Sequence, residues 1–367
     1  MPPYRFSLQQ LNEHTQSHPT HTGNATPGEL SDAAKHAIQS SVTRETILRR
    51  YNYQAHYVDW CEASQLTTKH IVDPSETTLC NYAASFMGKE AGGTVRAKLA
   101  AVKNLVSTKG HGWRGGARLR EVLNGVERAA PPSSFRPERE PVKVEWLNLL
   151  HDNLEASGRT PLNSCAIACA DAVFYGQLRL GEVLPHSPLA PNYKSAKFPL
   201  VSDLNLPART DREESAKLRL PCTKTHQSRG ESVILINHDV RSNAVHALTR
   251  HIEENQLLPS DPLFSYRRSD NSLQVLTRKE FLKFCNTIWS HAGIKRITGH
   301  SFRIGGTTHY LTRGILPDVV KAMGRWKSDA FLKYWRNLDT LASIHIHRLH
   351  SKNDLHRRFR QRHTVPY

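Results

Sequence analysis

No run of about 20 apolar residues occurs in the chain, which excludes a spanning helix of ordinary length and makes a soluble protein the expectation. Its six cysteines (Cys61, Cys80, Cys165, Cys169, Cys222 and Cys285) form no CxxC pair. The opening residues carry no charged-then-apolar leader, so a reducing compartment is expected. A GxxxxGKS or GxxxxGKT loop is missing, which argues against a P-loop nucleotide site. No His, Cys or Asp cluster has metal-ligating spacing; the nearest, HIHRLH at 345–350, reads better as a basic solvated tail. Cys165 and Cys169, one helical turn apart in SCAIACADAVFYG, read as small buried side chains. No metal or cofactor is therefore expected, and no internal repeat is visible.

Negative charge is also scarce. Fifty Lys and Arg stand against thirty-three Asp and Glu, for a formal net charge of +17. That excess points to a polyanionic partner, most often nucleic acid; the plain alternative is a generally basic surface. At 367 residues, two domains are the default.

Residues 1–40 are polar and without sustained periodicity, as in a flexible N-terminal arm. Helical spacing begins in SVTRETILRRYNYQAHYVDWCEAS, with Ile47, Tyr51, Tyr57 and Trp60 recurring at turns of a helix and Ser41 or Thr43 as the cap. Ser75 caps a second helix in SETTLCNYAASFMG. Val95, Leu99, Val102 and Val106 form the stripe of a third, which leaves Arg96, Lys98 and Lys103 for an outer basic face. HGWRGGARLREVLNGVERAA gives a Gly-rich basic loop and a fourth short helix, and with its Arg114 and Arg118 there are five basic candidates for duplex contact over a helical domain at 41–130. PPSSFRPEREP, residues 131–141, reads as a linker. Beyond it, helices at KVEWLNLLHDNLEAS and 162–178 lead to two strands in KLRLPCTKTHQSRGESVILIN, followed by further helices. This second domain, 142–345, is mostly helical with a small sheet, and 346–367 form a basic tail.

Within it, GHSFRIGG at 299–306 sets His300 and Arg303 on one helical face, where imidazole and guanidinium could converge on a phosphate. HxxR alone more often reflects helix packing. Its company changes the weighing: GQLRLGEV with Arg179 and Glu182, CTKTHQSRG with Lys224, and MGRWKSDAFLKYWRNLD with Trp326 and Tyr334. Arg, then Lys in a hairpin, then HxxR, then His or Trp, then Tyr is an order that resembles the tyrosine recombinase and integrase family, with a Cre-like core. The resemblance spans about 41–345. GRW before SDAF is most similar to members carried by eukaryotic mobile elements of the DIRS or Crypton kind.

The resemblance implies a C-shaped clamp in which a helical SAM-like domain and an α+β catalytic domain close on duplex DNA. It also implies that Tyr334 is the nucleophile, Arg179 and Arg303 clamp the phosphate, and Lys224 protonates the leaving 5′ oxygen. His300 and Trp326 complete the pocket, and Glu182 orients it. Neither ATP nor a metal is implied, and the working form would be a homotetramer on paired sites, a dimer per site, passing through a Holliday junction. Localisation would be nuclear for a eukaryotic element, and cytoplasmic or nucleoid otherwise. Lys217 and Arg229 stand near enough to substitute for Lys224, and Tyr310 is a second tyrosine near the HxxR helix. In many members the aromatic element precedes the nucleophile by nine positions; here Trp326 precedes Tyr334 by eight, and Arg325, standing where Gly or His is usual, could also approach the site. A type IB topoisomerase and a catalytically silent DNA-binding descendant are the alternatives. Arg357, Arg358, Arg360 and Arg362 in the tail suit DNA backbone or a nuclear import signal.

Overall fold

The structure, a computed structural model, describes residues 30–135, 137–187, 197–207, 215–223, 229–328 and 331. The chain divides into two compact units that meet between Pro137 and Glu138, inside the stretch read as a linker.

The first unit is helical. Helix α1 covers Asp32–Ser40, α2 Arg44–Ala63, α3 Thr68–Val72, α4 Glu76–Ala84, α5 Gly92–Thr108 and α6 Ala117–Arg128. Thr43 and Ser75 accept from the backbone N–H groups of Thr46 and Thr78, so the caps of α2 and α4 stand where the sequence placed them. Helix α1 corrects the expectation of a structureless arm over 1–40: Ser31 accepts from the Ala34 N–H and Asp32 lies in the first turn, which together favour a local helix. The rest of the proposed arm, 1–29, lies outside the described residues.

Val95, Leu99, Val102 and Val106 are buried, together with Leu79, Leu119, Leu123 and Val126. Tyr82 centres an aromatic cluster, edge-on to Tyr57 at 5.0 Å and to Phe86 at 5.1 Å. Tyr51, by contrast, is exposed. Lys98 is a further correction. It stands three residues after Val95 and four before Val102, hence on the buried stripe and not on an outer face. Only 5 % of it is exposed; its Nζ meets Glu90 Oε1 at 2.6 Å and lies 4.0 Å from the Phe86 ring centroid.

In the second unit, α7 covers Val144–Ser157, α8 Pro161–Tyr175 and α9 Leu180–Val183. Strands β1 (Leu204–Asn205), β2 (Ser215–Leu220) and β3 (Glu231–Ile236) form an antiparallel sheet in that order. Helix α10 (Ala244–Glu254) leads to a small hairpin of β4 (Ser265–Arg267) and β5 (Leu273–Val275). Helices α11 (Arg278–His291), α12 (Gly299–Thr312) and α13 (Pro317–Met323) follow.

Helix α8 is buried on every face from Ser164 to Tyr175, as its all-round apolar and small residues require of a central helix. Cys165 and Cys169 lie fully inside it, and burial pushes both thiols well above the ordinary range. Strand β2 alternates exposed and buried residues while pairing Leu218 with Val233, so one face of the sheet completes the core. No helix among the described residues is long and apolar enough to cross a membrane.

Candidate active site

The site grows from the end of α8. Gly176 closes that helix and Gln177 takes a left-handed conformation (φ 47°), which turns the chain sharply before Arg179 opens α9. One helical turn later, Glu182 is buried and its carboxylate receives three donors. Its Oε2 accepts the Arg179 backbone N–H at 2.9 Å and Arg325 Nη2 at 3.0 Å; its Oε1 accepts Arg179 Nη1 at 2.8 Å. Burial pushes this carboxyl up, but the Arg325 charge and the Arg179 hydrogen bonds outweigh burial and hold it below the usual carboxylate range.

Helix α12 presents the HxxR pair. Gly305 and Gly306 let it press against neighbouring backbone: a Cβ at Gly305 would collide with the Val142 carbonyl, and one at Gly306 with the Phe174 carbonyl. The close approach seats Arg303 in the core, fully buried. Its Nη1 donates to the Gln177 carbonyl and its Nη2 to the Gly324 carbonyl, both at 2.5 Å. The Trp326 ring centroid lies 4.0 Å from Arg303 Cζ, in cation–π geometry. His300, in the first turn of α12, is half-buried. Arg303 thus ties the α8–α9 turn to the end of α13, and a phosphate oxygen reaching it would compete with two carbonyls.

Arg325 reaches the site from a C-terminal helix cap. Its N–H donates to the Ala322 carbonyl and the Trp326 N–H to the Lys321 carbonyl, both at 3.0 Å, a Schellman pattern with Arg325 itself at φ 55°. Glycine normally fills that left-handed position.

Among the resemblance-derived residues, the structure brings together Arg179, Glu182, Arg303 and Trp326, with His300 on the same helix as Arg303. Lys224 and Tyr334 lie outside the described residues, as do the arginines of the tail. The hairpin that carries Lys224 is anchored on both flanks: Leu220 pairs with Glu231, and Thr223 Oγ1 donates to Glu231 Oε2 at 2.6 Å. Lys217 and Arg229 are exposed. Tyr310 has another task, donating to the Tyr175 carbonyl at 3.0 Å, and burial pushes its phenol far up, away from a nucleophile's needs. Gln177 is a contributor that sequence reasoning missed: its carbonyl receives Arg303 and its Oε1 receives Thr307 Oγ1 at 2.8 Å. Its only sequence signal is adjacency to the GQLR turn.

Of the first unit's candidates, Arg96 pairs with Glu127 at 2.8 Å and Arg114 with Asp73 at 2.6 Å, while Lys103 and Arg118 are exposed. No group of three His, Cys, Asp or Glu placed to hold a metal occurs among the described residues.

No family model and no curated protein matches the sequence. Solved structures do. A Tn1549 transposon integrase in complex with transposon right end DNA is similar at 11 % identity and TM-score 0.50, covering 86 % of this chain and 97 % of that one. XerA recombinase matches at 14 % identity and TM-score 0.39, covering 81 % and 98 %. A lambda integrase dimer bound to a core site matches at 12 % and 0.43, covering 83 % and 74 %. At these identities the likeness speaks of architecture, and the architecture it shows is shared by recombinases and integrases: the chain has the tyrosine recombinase fold.

Proposed function

We propose that this protein is a site-specific DNA recombinase or integrase of a mobile element, cleaving and rejoining strands through Tyr334. The observation that carries the reading is the network around Glu182, which holds Arg179 in an ion pair while leaving it 27 % exposed, inside a recombinase fold.

The chemistry follows from charge. Forming tyrosinate at pH 7 costs about 4 kcal/mol, for a phenol three pH units below its usual pKa of about 10. Guanidiniums offset that cost and neutralise the negative charge that grows as phosphorus becomes five-coordinate. Tyr334 Oη attacks phosphorus, the bond to the 5′ oxygen breaks, and Lys224 gives that oxygen its proton. A 3′-phosphotyrosyl link and a free 5′ hydroxyl result. Attack by another strand's hydroxyl reverses the step with the phosphodiester energy retained, so ATP is not consumed. Arg303 and Trp326 shape the pocket, His300 faces the same phosphate, and assembly as a tetramer on paired sites brings the second strand within reach.

The test is covalent capture. The full chain is incubated with a pool of randomised-sequence nicked duplexes, and adducts that survive denaturation are isolated and sequenced. We expect a recurrent recovered sequence, joined at Tyr334, and no adduct with Tyr334→Phe although that variant still binds the recovered DNA. An adduct formed by Tyr334→Phe refutes the nucleophile. Relaxation of supercoils without strand exchange would point to a topoisomerase, and binding without any adduct to a silent descendant.

A further inference from the structure

We propose that Arg325 is a positioning residue for strand cleavage, acting through Glu182 to present the Arg179 guanidinium to the phosphate. This inference rests on the recombinase reading above.

Three observations converge on it. First, Arg325 occupies the left-handed position of the Schellman cap after α13, where a side chain strains the backbone and glycine does not. Second, its side chain is 7 % exposed and crosses to a carboxylate 143 positions away in the chain. Third, Nε and Nη1 of this buried guanidinium have no hydrogen-bond partner among the described residues. An arginine held for stability alone would use its donors fully; here strain and idle donors are both tolerated for one contact. That contact therefore carries the function.

The geometry explains what it does. Glu182 offers two oxygens, and an unhindered Arg179 would take both in a bidentate fork. Arg325 holds Oε2, so Arg179 Nη1 is confined to Oε1. The remaining Arg179 donors are left for a ligand, in the more exposed member of the trio: 27 % against 4 % for Glu182 and 7 % for Arg325. Arg325 also cancels the Glu182 charge, which would otherwise repel an approaching phosphate. With two guanidiniums and one carboxylate, the trio presents a net positive charge. Where the family resembled by the sequence keeps a small Gly or a His, this chain has built a second cation into the site's support.

The experiment uses the full chain and the nicked duplex recovered by covalent capture, with single-turnover adduct formation, equilibrium DNA affinity and calorimetric melting measured for wild type, Arg325→Gly and Arg325→Lys. Glycine suits the backbone at this position, so that variant folds. We expect Arg325→Gly to form adduct about 10²-fold more slowly, the size of loss that a misplaced reacting group causes, with DNA affinity close to wild type and a lowered melting temperature, because a buried carboxylate loses one of its two cations. Arg325→Lys restores charge at Oε2 and should recover to within about 10-fold of wild type. Three results overturn the inference: Arg325→Gly at the wild-type rate, a parallel fall of rate and DNA affinity, or Arg325→Lys no faster than Arg325→Gly. If wild type itself forms no adduct, the recombinase reading falls and this one with it. An active wild type matched by Arg325→Gly sinks this inference alone.

Discussion

Replacing Arg303 separates two views of the HxxR arginine by the sign of a stability change. If the guanidinium waited in a cationic pocket for phosphate alone, removing it would relieve like-charge repulsion and stabilise the DNA-free protein. In the structure it is instead a buried clasp. Arg303→Met would remove two charge-assisted hydrogen bonds and leave the Gln177 and Gly324 carbonyls without them. Each such loss is worth about 1.5–3 kcal/mol, and the desolvated contact with Trp326 adds about 2 kcal/mol. Part of this is offset because methionine carries no charge that must be desolvated. The net expectation is a destabilisation of about 3–5 kcal/mol, the range found when one side of a buried charged contact is removed. At about 2–4 °C per kcal/mol for a unit of this size, the melting temperature should fall by roughly 6–20 °C. Calorimetry of the full chain can follow the transition of the unit that begins at Glu138. A variant melting at or above the wild-type temperature would refute the clasp.

Two further predictions rest on charge and burial. His251 is fully buried, donates from Nε2 to the Leu263 carbonyl at 2.9 Å, and accepts from Asn255 Nδ2 at Nδ1; burial pushes its pKa down to about 4. Its unfolded value is about 6.5, so its contribution is fully present above that pH and is lost as pH falls toward 4, about 3 kcal/mol in all. Urea melts at pH 7 and 4.5 should show this loss, and His251→Gln should show a smaller one; equal losses would refute the assignment. In the first unit, Lys103→Ala and Arg118→Ala should weaken DNA binding and flatten its dependence on salt, whereas Lys98→Met should leave that slope unchanged, because its ammonium is already paired with Glu90. Binding isotherms over a salt series decide this, and a reduced slope for Lys98→Met would place that lysine at the DNA.

Much of the second unit's outline follows from short-range chemistry. The β2–β3 hairpin and the buried character of α8, like the cap at Thr43 in the first unit, each depend on residues near one another in the chain. Such patterns act locally, so a sequence displays them directly. The ordered set of Arg179, Lys224, His300, Arg303, Trp326 and Tyr334 was equally visible, because order along the chain is itself sequence information. Direction was not. Whether Arg303 points to solvent or to carbonyls more than 20 and more than 120 positions away depends on where α8 and α13 come to rest. Lys98 looked like surface charge until Glu90 and Phe86 closed over it. Arg325 could be expected near the site from its place beside Trp326, but its partner, Glu182 at 3.0 Å, came only with the packing. Periodicity and residue order are properties of neighbours in the chain, whereas the partner of a long, charged side chain is chosen by packing among elements far apart in it. That packing decides which cations face a ligand and which hold the site together.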